Sequence, residues 1–240
     1  MDRKVILITG GSRGLGAECV RTLSQQEGNT VYYTYSARSA EGQDGSNVFP
    51  VPCDQKEEAA IANCVLKILN EQGRIDVLVN NACSSFLPCD FLKTDWSLFQ
   101  ELLDVNVRGA CLFMREAAQA MKEAGSGKII NVLSSYVLNI PPEKLSHYVT
   151  AKYALYGLSK AAAAELGHYG ITVNMVSPGM MATHLTEYLP ERFLQAYAQK
   201  HPMRRMTSTA DVADVIAFLC SDGARFLNGV NLPVNGGEAF

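Results

Sequence analysis

The chain has 240 residues, 48% of them apolar and 19% charged, with a formal net charge of -3; that suffices for one α/β domain with a full core and excludes two large ones. The charge gives no electrostatic case for nucleic acid or an anionic membrane, and no apolar run approaches the ~20 residues that span a bilayer. Met1-Asp2-Arg3-Lys4 lacks the pattern of a signal peptide, and the seven cysteines are scattered without a Cys-x-x-Cys pair, which argues against zinc or a disulfide framework and for a reducing cytoplasm.

Val5 to Ile8 is a continuous apolar run, as in a parallel strand buried on both faces. The turn Thr9-Gly10-Gly11-Ser12-Arg13-Gly14-Leu15-Gly16 follows, then a helical pattern from Ala17 to Glu27. A strand, a glycine-rich turn and a helix leave backbone N–H groups free at a helix N-terminus, where a pyrophosphate can bind. The spacing is Gly-x-x-x-Gly-x-Gly, so a purely structural turn is the alternative. Thr30 to Tyr35 reads as a second strand. Its end is where an acid would hold a ribose 2′-hydroxyl, yet Ser36 and Arg38 stand there and no carboxylate precedes Glu41. With Arg13, these residues suit a 2′-phosphate, so NADPH is expected over NADH.

Asn47 to Pro52 is a third strand, ending at Cys53-Asp54, and Gln55 to Gln72 an amphipathic helix. Ile75 to Val79 is a fourth strand, ending in Asn80-Asn81-Ala82. Strands and helices alternating in this way predict βαβ units and a doubly wound, Rossmann-like, mostly parallel sheet in one domain. Ligands bind such sheets beyond the carboxyl ends of the strands, and Gly10, Ser36, Asp54 and Asn80 all fall there. A helical region from Asp95 to Glu123 contains Asn106, a residue that mid-helix asks for a reason or a buried hydrogen bond. Lys128 to Leu133 is a fifth strand, ending in Ser134-Ser135-Tyr136.

The next helix, running through Gly167, carries Tyr148-x-x-x-Lys152 and again Tyr156-x-x-x-Lys160. Residues four apart share a helix face, and a cation beside a phenol favours the phenolate. Tyr148 lies at the helix start, near the ligand edge. Tyr156 lies two turns deeper, roughly 12 Å along the axis, and suits a packing surface. Position therefore selects Tyr148 and Lys152. Ile171 to Val176 is a sixth strand, stopped by Ser177-Pro178-Gly179. The apolar-rich segment 180–206, with a short helix after Pro190, is expected to cover the ligand edge as a lid. Asp211 to Cys220 and Gly229 to Val234 complete the pattern.

Along essentially its whole length the chain resembles the short-chain dehydrogenase/reductase family. The resemblance rests on Thr9-Gly10-x-x-x-Gly14-x-Gly16, Asp54, Asn80-Asn81-Ala82, Asn106, Ser135, Tyr148-x-x-x-Lys152 and Pro178-Gly179 with Thr183. Cys83 departs from it, standing where the family usually has glycine. The resemblance implies hydride transfer between a nicotinamide and a carbonyl carbon. Tyr148 would be the acid or base, Ser135 a donor to the carbonyl oxygen, Lys152 a partner of the nicotinamide ribose, and Asn106 the anchor of a water relay. Gly10, Ser12, Arg13, Gly14, Leu15, Gly16, Ser36, Arg38, Asp54, Asn80, Ala82, Pro178, Gly179 and Thr183 would contact the cofactor together with Tyr148 and Lys152. No metal is expected, and a homotetramer is.

Within the family, Pro202 to Met206, Phe218 to Asp222 and Val234 to Gly237 are similar to the bacterial 3-oxoacyl-thioester reductases. A 3-oxoacyl thioester, on an acyl carrier protein or CoA, is the expected substrate; a small ketone, sugar or polyol is the alternative. Ser126 and Tyr169 stand where members of that branch carry carrier-docking arginines, and Lys122, Lys128, Arg204 and Arg205 are the cations that could replace them. A regulator that binds a dinucleotide without turnover is the remote third reading, disfavoured because the catalytic set is complete.

Overall fold

A computed structural model describes residues 3–36 and 45–239. Seven parallel strands form one sheet in the order β3-β2-β1-β4-β5-β6-β7. They are β1 (Val5–Ile8), β2 (Thr30–Tyr35), β3 (Val48–Pro52), β4 (Val77–Asn80), β5 (Gly127–Val132), β6 (Ile171–Pro178) and β7 (Asn231–Val234). The strand order reverses between β1 and β4, and a crevice opens at such a switch point beyond the carboxyl ends of the strands.

Both faces of the sheet are covered, which explains the unbroken apolar run of β1. Val5 and Leu7 point into one core with α2 (Glu58–Gln72) and α4 (Ala110–Ala124). Ile6 and Ile8 point into the other with α1 (Gly14–Ser24) and α7 (Thr209–Cys220). Alternate residues of a strand face opposite sides, so a central strand needs four apolar residues in a row. Prolines are confined to the edges and to a strand end: Pro50 and Pro52 in β3, Pro233 in β7, and Pro178, the last residue of β6. There the missing N–H costs little.

Several helix boundaries differ from the sequence expectation: α1 spans Gly14–Ser24 where Ala17 to Glu27 is expected, α2 opens at Glu58 rather than Gln55, and two further differences have a visible cause. The last helix starts at Thr209, because Ser208 and Asp211 form a reciprocal capping box that satisfies the first free N–H groups. The region expected as one helix from Asp95 is α3 (Trp96–Leu103), a π-helical stretch Asp104–Gly109, and α4. Asn106 lies inside that stretch, and its Nδ2 donates to the Leu102 carbonyl at 3.0 Å. The widened turn is the physical reason for an asparagine there, since π-bulges concentrate at functional positions. The remaining helices are α5 (Ser146–Leu166) and α6 (Glu191–Lys200).

Candidate active site

The glycine-rich turn joins β1 to α1 and is fastened to the end of β4. The Thr9 hydroxyl oxygen accepts from the backbone N–H of Asn81 and of Ala82, both at 3.0 Å. Asn81 Nδ2 donates back to the carbonyls of Thr9 and Gly10 at 3.0 and 3.1 Å. Gly10 adopts φ +65°, and a Cβ on Gly16 would stand 2.1 Å from the Gly10 carbonyl oxygen. No larger residue fits at Gly16 without moving backbone.

A cleft of about 530 Å³ opens at this edge, and thirteen residues expected from the sequence line it: Gly10, Ser12, Arg13, Leu15, Gly16, Ser36, Asp54, Ala82, Tyr148, Lys152, Pro178, Gly179 and Thr183. Gly14 opens α1, and Thr183 packs where its Cβ would be, with Cγ2 at 3.6 Å. The donor set fits an anionic dinucleotide. Backbone N–H groups at the N-terminus of α1, the Arg13 guanidinium and the hydroxyls of Ser12 and Thr183 all favour phosphate oxygens.

Tyr148 and Lys152 enter from the first turns of α5, with 9% and 3% of their surfaces exposed. Lys152 Nζ lies 5.7 Å from the centre of the Tyr148 ring and donates to the Val132 carbonyl at 2.9 Å. Phe86 stacks on Tyr148 at 4.4 Å, and Tyr136 meets it edge-on at 6.3 Å. The sequence alone suggests a phenol lowered by its lysine. Instead, burial pushes the Tyr148 phenol well above its ordinary value, with the neighbouring Cys83 adding to the shift and a hydrogen bond with Ser134 opposing it. Burial also lowers Lys152. Desolvation is thus the dominant influence on the phenol, and it favours the neutral form.

Four of the expected residues lie away from the cleft lining or outside the described residues. Ser134, the neighbour of the expected Ser135, lines the cleft beside Tyr148. Ser135 is 2% exposed and lies outside the lining, because the chain turns at the end of β5 and Ser134 is the last extended residue, at φ -162°. Asn80 does not line the cleft either. It is buried within the sheet, where its Nδ2 donates to Asn131 Oδ1 on β5 at 2.8 Å. Asn106 lies beneath the cleft, 2% exposed, with its Oδ1 lacking a partner. Arg38 lies outside the described residues. The sequence reading missed Asn81, Cys83, Ser134 and His184, which all line the cleft. Asn81 and Cys83 were within reach of it, since they flank Ala82 in the same strand-end motif. Among the described residues no group of His, Cys, Asp and Glu is arranged to hold a metal, and no helix is long and apolar enough to cross a membrane.

Fold and cleft together define a doubly wound nucleotide-binding protein. The chain belongs to the short-chain dehydrogenase/reductase family, whose members are NAD(P)-binding oxidoreductases: the family model described as "Enoyl-(Acyl carrier protein) reductase" matches residues 10–238. It is 31% identical over 243 residues to the 3-oxoacyl-[acyl-carrier-protein] reductase FabG of Staphylococcus aureus, covering 98% of this chain and 97% of that one. It is 35% identical over 255 residues to (+)-borneol dehydrogenase 2 of Salvia officinalis, covering 98% and 88%. Among solved structures, 3-ketoacyl-(acyl-carrier-protein) reductase from Brucella melitensis complexed with NADH superposes with a TM-score of 0.90 at 30% identity, covering 99% and 98%.

Proposed function

We propose that this oxidoreductase reduces a carbonyl to an alcohol with NADPH, and that its substrate is a 3-oxoacyl thioester. The observation that carries the reading is the convergence of Tyr148, Lys152 and Ser134 beside the glycine-rich turn. A nicotinamide cofactor held in the cleft by the glycine-rich turn and Lys152 would supply the hydride. Tyr148 gives its phenolic proton to the carbonyl oxygen as the carbon gains the hydride, so the product is a neutral alcohol. The Ser134 hydroxyl donates to that oxygen, where negative charge develops. Lys152, anchored on Val132, holds the nicotinamide ribose and re-protonates Tyr148. The unpartnered Oδ1 of Asn106 offers an acceptor for the water relay behind it. Arg13 and Ser36 line the cleft and form the 2′-phosphate site, with Arg38 as a third ligand. Pro178, Gly179 and Thr183 close over the cofactor, with 180–206 as the lid.

The cations considered for docking a carrier protein are largely engaged elsewhere. Lys122 sits 4.4 Å from the centre of the Tyr169 ring, Lys128 is lowered first by burial and then by Lys4, and Arg205 pairs with Asp211. A second reading, a compact cyclic ketone, is favoured by the aromatic walls that Phe86 and Tyr136 raise against Tyr148. The working form is a cytoplasmic homotetramer, and the exposed small residues Gly157, Ala161 and Ala164 of α5 permit close helix approach between subunits. The deciding assay follows oxidation of NADPH and NADH with a 3-oxoacyl-CoA, the matching acyl-carrier-protein thioester and a set of cyclic ketones. NADPH-dependent turnover strongest with either thioester supports the proposal. Turnover confined to cyclic ketones supports the second reading, and no oxidation with any carbonyl opposes both.

A further inference from the structure

One polar side chain in the cleft has no work in the scheme above. His184, immediately after Thr183, lines the cleft, yet both its ring nitrogens are shielded from solvent and neither has a hydrogen-bond partner. Buried imidazole nitrogens without partners are costly, so their position invites a ligand. Nδ1 lies 3.7 Å from where a Cβ on Gly14 would stand. That places the ring in contact with the first residue of α1, where backbone N–H groups favour a phosphate. The charged groups that act on the ring are Arg13, on the glycine-rich turn packed against it, and Glu187, three residues on in its own segment.

We propose that His184 is a cofactor-binding residue, whose imidazole hydrogen-bonds the pyrophosphate of a bound dinucleotide beside the glycine-rich turn, and that this contact takes up a proton and so tightens binding at acidic pH. The inference rests on the reading that the cleft holds NAD(P)(H). A pyrophosphate oxygen only accepts hydrogen bonds, so it matches a ring N–H, and it matches best when the imidazole is protonated. In the free protein burial, then Arg13, hold His184 below its ordinary value, and Glu187 opposes them. A pyrophosphate adds negative charge beside the ring and offsets Arg13, so the bound value lies above the free one. The sign follows: affinity is greatest below the free value and declines as pH rises from the free value through the bound one.

The test is calorimetric titration of the substrate-free protein with NADPH and with NADH, in buffers of different ionisation heat, from about pH 6 to about pH 8. Expected are proton uptake with both nucleotides and a Kd about tenfold tighter at the acidic end. His184→Gln, which keeps an N–H donor but does not titrate, should bind without proton uptake and with a flat pH profile. Retained uptake in that variant overturns the inference. So does uptake confined to NADPH, which would assign the proton to the 2′-phosphate, and so does a pH-independent Kd in the wild type. A wild type that binds neither nucleotide at any pH would remove the proposed function itself, and this inference with it.

Discussion

Helix α5 carries the same four-residue motif twice, and the two copies have opposite surroundings. Tyr148 and Lys152 are buried at the cleft, with the lysine fastened to the end of β5. Two turns on, Tyr156 packs beside Leu133, Leu155 and Met175, while Lys160 is exposed and its Nζ donates to the Gly229 carbonyl at 3.0 Å. The first pair meets the open edge of the sheet. The second ties α5 to the loop before β7. Spacing brings a phenol and an ammonium together, but reactivity comes from where along the helix they meet a cleft.

Replacing Tyr148 with Phe should produce the largest contrast: kcat falls by about 10³-fold, while the NADPH Kd measured by fluorescence titration changes little. The same exchange at Tyr156 should leave kcat near the wild-type value. Next in size is the serine pair. Ser134→Ala should lower kcat/KM by about 10²-fold, because it removes a donor to the developing oxyanion, and Ser135→Ala should leave it nearly unchanged. The reverse order in steady-state assays would restore Ser135. Gly16→Ala should abolish cofactor binding or folding, read by calorimetry and thermal melting, since its Cβ meets the Gly10 carbonyl at 2.1 Å. The smallest effect belongs to Lys160→Ala, which loses one exposed hydrogen bond; about 0.5 kcal/mol of stability in urea unfolding is expected, with kcat unchanged.

The sheet was legible because burial on both faces forces unbroken apolar strands, and the edge prolines agree with the observed order. Tyr148 and Lys152 were legible because helical spacing fixes their relation to each other. The serine was legible only as a pair. Its interval to Tyr148 points to Ser135, while Ser134 lines the cleft, and the loop 136–145 between them, with Lys144 at φ +66°, is too irregular for a count along it to choose. Asn80 and Asn81 show the same limit at a strand end: one pairs with Asn131 inside the sheet, and its neighbour turns to the glycine-rich turn. His184 carried no signal, since its significance lies in two nitrogens left without partners.

The bonds between Thr9 and Asn81 have a kinetic meaning. They join residues 72 positions apart, so the cofactor cradle cannot close until β4 has docked beside β1. A chain that has formed only its first βαβ unit has the glycine-rich sequence but not its fastening. Nucleotide added during refolding should therefore bind after the central strands pair, and stabilise the whole domain rather than its N-terminal half.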